Sequence, residues 1–156
     1  MQCCAINPFK PMLYGGNMQE KDCLFCRIIR GEIPSAKVYE DDYVYAFLDI
    51  APSFAGHTLV VPKNHYKNIL DFDAKEASHI LAAIQKIAPA MMKATGSEGF
   101  HVLQNNNEAA GQTVFHTHFH IIPRKAGDGM TLWTPTPYEN TEKMLEVAQK
   151  IQNEIK

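Results

Sequence analysis

Residues 111–122 read GQTVFHTHFHII and place His116, His118 and His120 at every second position. Alternate side chains of a β-strand share one face, so this pattern predicts a strand from Phe115 to Ile122 with three imidazoles on one side. A single histidine is usually a tolerated surface residue. Three at this spacing, beside a glycine-containing loop, indicate a metal site or a catalytic site.

Two chemical interpretations of the three histidines are open. Either all three bind one metal ion, or they divide the work between them. Ligand nitrogens of one ion lie about 3.5 Å apart, because metal–nitrogen bonds are about 2.1 Å long. The outer rings of His116 and His120 start about 13 Å apart on an extended strand, so a site made of this strand alone is strained.

The four cysteines all lie within the first 26 residues, as Cys3-Cys4 and as Cys23-x-x-Cys26. A disulfide framework would connect distant segments, so this clustering favours a reducing compartment. The second pair is a metal half-site, a redox pair or simply two buried thiols. Four-coordinate zinc takes thiolate and imidazole ligands, and His65 and His116 are the candidates to complete such a site.

The remaining patterns predict an α+β fold, with a mainly antiparallel sheet of about five strands, one long helix and a C-terminal helix. Apolar residues between Ala77 and Met91 follow a helical period after Asp73, and Pro89 predicts a kink or a break there. Residues 18–156 are expected to form one domain, and residues 1–17 a disordered extension. The expected elements are strands at 37–40, 43–49, 57–62, 100–104 and 115–122, a short helix or turn at 21–30, and a final helix capped by Asn140.

Composition excludes several classes of protein. The chain has 156 residues, a formal net charge of -2 and 46% hydrophobic residues, which suits a globular domain with a core. It lacks the basic excess of proteins that bind nucleic acid, and it has no apolar run long enough for a membrane span. We therefore expect a cytoplasmic protein that binds neither nucleic acid nor membranes.

Several separated motifs, in one order between about residues 22 and 125, resemble the histidine triad (HIT) superfamily. They are CLFCRII at 23–29, Ile33-Pro34, AFLDI at 46–50, GHTLVVPKNH at 56–65 and the stretch at 111–122. The chain most resembles the Hint-like branch of nucleoside phosphoramidases, in the form that keeps zinc ligands. The resemblance implies the HIT fold, a homodimer and a pocket for a purine nucleotide of the AMP or GMP type.

The resemblance also implies roles for individual residues. His118 is the expected nucleophile of a two-step nucleotidyl transfer, and Asp49 is expected to hold the ribose hydroxyls. Phe25, Ile33 and Ile50 would pack around the base, whereas Asn105, Gln112, Thr113 and His120 would contact the phosphate. The positions of structural zinc ligands are matched by Cys23, Cys26, His65 and His116.

The chemistry of these residue types suits that reaction. A neutral imidazole with one nitrogen held by a hydrogen bond can attack phosphorus through the other. The loop from Gly111 to Thr113 lets backbone N–H groups approach phosphate oxygens. His120 or Thr113 would supply the proton that the leaving group needs. His57 is expected to support the triad indirectly, and His79 and His101 to be structural or surface residues.

Three functions compete at this point. The first is hydrolysis of purine nucleoside 5'-phosphoramidates or related conjugates through a nucleotidyl-histidine. The second is dinucleoside polyphosphate hydrolysis or nucleotidyl transfer with the same triad. The third is a nucleotide-binding interaction module in which turnover is incidental.

Overall fold

The computed structural model describes residues 19–155 of the chain. One compact unit ends at Ala126 and a second begins at Gly127. The expected N-terminal extension, Cys3, Cys4 and Met18 lie outside the described residues. Within residues 19–155, no helix is both long enough and apolar enough to span a bilayer.

The first unit is built on a five-stranded antiparallel sheet, and this architecture confirms the predicted fold class. Its elements are α1 (Leu24–Ile29), β1 (Lys37–Glu40), β2 (Val44–Leu48), β3 (Thr58–Pro62), α2 (Ala77–Thr95), β4 (Gly99–Leu103), a short 3-10 helix (Glu108–Ala110) and β5 (Phe119–Arg124). The strands lie side by side in the order β1-β2-β3-β5-β4.

Alternation along the central strands creates two apolar clusters, one on each face of the sheet. Val60 and its neighbours on one face pack with the apolar stripe of α2, which includes Ile80 and Ile87. Leu59 and its neighbours on the other face pack with Phe25 of α1. Each fully buried aliphatic side chain contributes about 1.5–3 kcal/mol. Because α2 covers the first face, the second face is the one that carries α1 and the functional side chains.

The long helix differs from its prediction in two ways. It begins at Ala77 rather than just after Asp73, because Asp73 forms a turn in which its side chain accepts from Lys75 N. It also continues through Pro89 to Thr95, so of the two alternatives predicted there, a kink or a break, the break does not occur. Pro89 and the residue four positions earlier, Gln85, are both exposed, so water can satisfy the carbonyl that proline leaves unbonded.

The predicted strand at 115–122 is also shifted, since β5 begins only at Phe119. His116 and His118 therefore lie in the irregular segment that enters the strand, and His120 lies on the strand itself. The N–H of Thr117 donates to the carbonyl of Tyr66 at 2.6 Å, outside any sheet ladder. This irregular backbone frees His116 from the strict alternation that a strand would impose.

The second unit contains α3 (Thr141–Glu154), as predicted. Asn140 caps it, with its side chain accepting from Lys143 N. The apolar side chains of this helix are largely exposed, including Met144, Leu145 and Ile151.

We predict that Gly56→Ala lowers the free energy of unfolding by about 2–3 kcal/mol. Gly56 has a φ of +96°, and an added Cβ would lie 2.6 Å from Thr95 Cγ2. Gly31→Ala is the matched control, because Gly31 has a φ of +77° with open space around it and should lose only about 1 kcal/mol. Urea unfolding measures both. In a Thr95→Ser background, which lacks Cγ2, Gly56→Ala should cost less unfolding free energy because the clash is removed. An equal loss in both backgrounds would contradict the clash.

Candidate functional site

Four side chains that the sequence suggested as metal ligands meet beside α1. Their ligand atoms all lie within 4.8 Å of one another, in a set formed by Cys23, Cys26, His65 and His116. Cys23 is the residue that precedes α1, and Cys26 lies in its first turn. The helix therefore presents both sulfurs to the two histidines, which arrive from the end of β3 and from the segment before β5.

Hydrogen bonds on the far side of each ring determine what the ring offers to the sulfurs. His116 Nε2 lies 2.9 Å from the carbonyl oxygen of Pro62, and a carbonyl only accepts, so the ring proton is on Nε2. Nδ1 then presents a lone pair 3.5 Å from the sulfurs of both Cys23 and Cys26. His65 is arranged in the same way, with Nδ1 3.4 Å from Cys26 Sγ.

This donor set fits zinc or a similar ion. Two sulfurs and two neutral imidazole nitrogens form the ligand set of a closed tetrahedral site. Burial raises the pKa of the Cys26 thiol to about 12, and the neighbouring Cys23 adds to the shift. Such a thiol is a poor redox nucleophile at neutral pH, and a bound cation would compensate the thiolate charge. The geometry therefore favours a metal half-site over a redox pair.

His118, the predicted nucleophile, is held as a neutral imidazole. Its Nδ1 donates to the backbone carbonyl of His116 at 2.6 Å, which leaves a lone pair on Nε2. The edge-to-face ring of Phe25 packs against it, with centroids 5.2 Å apart. Burial lowers the pKa of His118, against opposing contributions from the His116 carbonyl and from Asp49. The imidazole is therefore unprotonated at neutral pH.

His57 and His120 form a hydrogen-bonded histidine pair beside His118. The backbone N–H of Ser53 donates to His57 Nδ1 at 3.2 Å, so the proton of a neutral His57 ring is on Nε2. That proton is donated to His120 Nδ1 at 2.9 Å, and His120 consequently carries its own proton on Nε2. His120 is thus a hydrogen-bond donor next to His118, with ring centroids 5.0 Å apart.

One potential ligand atom each of Asp49, His57 and His120 also lies within 4.8 Å of the other two. These three residues are nevertheless poorly suited to binding a metal ion. The Ser53 N–H keeps the His57 proton on Nε2, so the nitrogen that faces the other two side chains has no lone pair to offer. The carboxylate of Asp49 lies 3.7 Å from His57 Nε2. This arrangement suits proton handling rather than metal binding.

The predicted nucleoside-binding residues are found in different environments. Phe25 is buried, and Ile33 packs against its cluster. Asp49 directly follows β2, and its Oδ1 accepts from Ala51 N at 2.9 Å. Ile50, beside it, is fully exposed.

The predicted phosphate loop is held mainly by its own hydrogen bonds. Gln112 is 1% exposed, and its side chain accepts from Asn107 N and donates to the carbonyls of Lys67 and Val114. The N–H groups of Gly111 and Gln112 donate to the carbonyls of Glu108 and Asn107. The Asn105 amide nitrogen lies 3.6 Å from where a Cβ on Gly111 would be. Thr113 is exposed, so of the loop residues Gly111 to Thr113 it is the one whose side chain is accessible to a ligand.

Sequence reasoning missed the groups that orient these rings. They are the Pro62 carbonyl, the Ser53 N–H and the carboxylate of Glu20, which lies 3.0 Å from His65 Nε2. No sequence pattern marks them, because backbone groups and exposed acidic residues occur throughout a chain. Outside both clusters, His79 stacks on Tyr43 with centroids 3.8 Å apart. His101 lies on β4, as expected for a structural or surface residue.

Comparison with known proteins places these observations in context. Residues 30–127 match the model of the HIT domain family. Adenosine 5'-monophosphoramidase hnt1 of Schizosaccharomyces pombe is 38% identical over 135 residues, which are 86% of this chain and 98% of that protein.

Two solved structures have the same fold. The first, a protein of Streptococcus mutans UA159, is 41% identical in sequence to this chain. The match covers 99% of this chain and 100% of that chain, with a TM-score of 0.83. A zinc-bound histidine triad family protein of Mycobacterium smegmatis is 33% identical, with coverage of 86% and 98% and a TM-score of 0.68.

We predict that His120 makes the folded protein less stable as the pH falls from about 6.5 to about 4. Burial and the neighbouring His118 and His57 lower its pKa to about 4, whereas in the unfolded chain it stays near 6.5. Between these pH values His120 is protonated in the unfolded chain but not in the folded protein. The free energy of unfolding therefore keeps its full value above about pH 6.5 and decreases as the pH falls below it. The slope is at most about 1.4 kcal/mol per pH unit, reduced by partial solvent contact.

Urea unfolding at pH 7, 6 and 5 tests this expectation, with His120→Asn as the comparison. The variant keeps a polar side chain but cannot titrate, so its stability should fall less steeply with acid. Equal slopes in the two proteins would show that His120 titrates normally in the folded state.

Proposed function

Because the chain belongs to the HIT domain family, we propose that it hydrolyses purine nucleoside 5'-phosphoramidates or related nucleotide conjugates through a nucleotidyl-histidine intermediate. The observation that carries the proposal is the complementary pair of rings, with a lone pair on His118 Nε2 and a proton on His120 Nε2. The name of the related Schizosaccharomyces pombe phosphoramidase supports the substrate class.

In the first step, His118 Nε2 attacks the α-phosphorus and the bond from phosphorus to the leaving nitrogen breaks. The electron pair stays on that nitrogen, which takes a proton from His120 Nε2. A neutral His120 would become an imidazolate on losing this proton, so the step requires the His57–His120 pair to take up one proton from solvent when the nucleotide binds. The anionic phosphate raises the pKa of His120 on binding, and Asp49 compensates the positive charge shared between His57 and His120. Thr113 is the alternative proton donor.

In the second step, water attacks the nucleotidyl-His118 and gives one proton to His120. The nucleoside monophosphate leaves, and both rings return to their starting forms. A barrier too high for a single displacement is thereby divided into two lower ones.

Binding of the nucleotide is assigned to residues around this pair. Asp49 would accept hydrogen bonds from the ribose hydroxyls, while Phe25, Ile33 and the exposed Ile50 would contact the base. Thr113 and His120 would donate to the phosphate, and Asn105 would reach it beside Gly111. Gln112 would act chiefly by shaping the loop, because its side chain is already bonded to backbone groups.

We assign the Cys23, Cys26, His65 and His116 cluster to one structural zinc ion. When bound, zinc would supply a closed four-ligand clamp and no open position for water. His116 connects the clamp to catalysis, because its ring faces the sulfurs while its carbonyl holds His118. The zinc-bound Mycobacterium smegmatis relative supports this assignment.

The homodimer stays a prediction of the family resemblance. Its support is the exposed apolar surface along the edge strand β4 and the adjoining helix, formed by Leu81, Phe100 and Val102. An unpaired strand edge next to apolar side chains is a common site for pairing with a second copy.

We predict that His118→Ala lowers turnover of adenosine 5'-phosphoramidate at least about 1,000-fold while AMP still binds. The change removes the nucleophile but leaves the pocket, and His101→Ala on β4 is the control that should keep full activity. Steady-state rates and AMP calorimetry measure the two effects. Equal loss of binding and turnover, or a phosphorus adduct trapped on His120, would contradict the role of His118.

The same assay separates the competing functions. Faster cleavage of a diadenosine polyphosphate than of the phosphoramidate would favour the dinucleoside polyphosphate hydrolase. Negligible cleavage of both substrates, with intact AMP binding, would favour the interaction module.

We predict that Cys26→Ser loses zinc, melts roughly 10 °C lower and is less active, because metal-binding free energy contributes to folding. His118→Ala should keep one zinc ion per chain. Elemental analysis and thermal unfolding measure these effects. Zinc lost in His118→Ala but retained in Cys26→Ser would place the metal at the triad instead.

A further inference from the structure

Glu20 stands just outside the four-residue metal cluster and is not one of its ligands. Its carboxylate oxygen lies 3.0 Å from His65 Nε2, on the side of the ring opposite the sulfurs. The Glu20 carboxylate accepts the Nε2 proton, so the Nδ1 lone pair of His65 faces Cys26. We infer that Glu20 is a positioning residue for metal binding, an inference that rests on the proposed zinc centre.

The two histidines of the cluster each have a hydrogen-bond acceptor at Nε2, but the acceptors are different groups. The Pro62 carbonyl fixes His116, which is fully buried, and it cannot be changed by a side-chain substitution. His65 lies nearer the surface, with 12% of its side chain exposed, and receives its acceptor from a side chain. Without that acceptor, the His65 ring can place its proton on Nδ1 or rotate, and both changes remove a ligand.

The segment that carries Glu20 is itself held in place. Arg30, at the end of α1, donates to the carbonyl of Lys21 at 3.2 Å and to the side chain of Gln19 at 3.4 Å. The N–H of Cys23 also donates to the Glu20 carbonyl. These contacts on both sides of Glu20 keep an exposed side chain at a defined position over the cluster.

Acceptors of this kind orient metal-binding histidines and raise their basicity, and losing one typically costs about 10–100-fold in metal affinity. The test measures the affinity of the full-length protein for Zn²⁺ by competition with a chromophoric chelator. Glu20→Ala should weaken binding by about 10–100-fold. Glu20→Gln, which retains an acceptor oxygen without the charge, should lose less.

Asp22→Asn is the matched control, because it removes one exposed negative charge two residues away from Glu20. At 0.15 M salt, it should change zinc affinity by less than about threefold. Equal losses in Glu20→Ala and Asp22→Asn would overturn the inference in favour of a general charge effect. Unchanged affinity in Glu20→Ala would overturn it as well.

Two further readouts distinguish positioning from a loss of structure. Nitrogen-15 NMR of the metal-free protein should show the His65 proton on Nε2 in the wild type and divided between the nitrogens in Glu20→Ala. Co²⁺ titration should give tetrahedral sulfur-ligand absorption in both proteins at saturation. If the wild type binds neither Zn²⁺ nor Co²⁺, the zinc centre fails, whereas normal wild-type binding with an unaltered variant defeats only the role of Glu20.

Discussion

The site depends on the hydrogen bond from His118 Nδ1 to the carbonyl oxygen of His116, 2.6 Å long. It determines which nitrogen of His118 carries the proton and which carries the lone pair. It also makes one residue serve two sites, because the ring of His116 faces the cysteine sulfurs while its carbonyl faces the next histidine. Any displacement of His116 would therefore shift the ring of His118 directly.

The two histidine clusters show how the same side chain acquires different chemistry. A hydrogen-bond acceptor on Nε2, such as the Pro62 carbonyl, leaves a lone pair on Nδ1 that a metal ion could use. A hydrogen-bond donor on Nδ1, such as the Ser53 N–H, moves the proton to Nε2 and makes His57 a donor to His120. The hydrogen-bond partner behind each ring thus decides whether its inward nitrogen offers a lone pair, as a metal ligand needs, or a proton, as a hydrogen-bond donor needs.

The two faces of the sheet differ in what packs against them, and this allows the histidines to gather on one face. Helix α2 covers one face, and burial of its apolar stripe supplies stability that the other face need not provide. The opposite face can then accommodate buried histidines whose pKa values are lowered by desolvation. The loop that precedes β5 is fastened to the segment that follows β3 by a hydrogen bond from the Gln112 side chain to the Lys67 carbonyl.

The sequence by itself determined the fold class and the order of the elements, because apolar periodicity is a local property, and its motifs indicated the candidate site residues through their resemblance to the HIT family. It did not determine where β5 begins or where α2 starts, because the Tyr66 carbonyl and the Asp73 turn compete with regular structure at those ends. Only the tertiary structure decided the protonated nitrogen of each histidine. That choice depends on groups distant in sequence, such as Pro62 for His116 and Ser53 with His57 for His120, and a hydrogen bond between distant segments leaves no pattern along the chain.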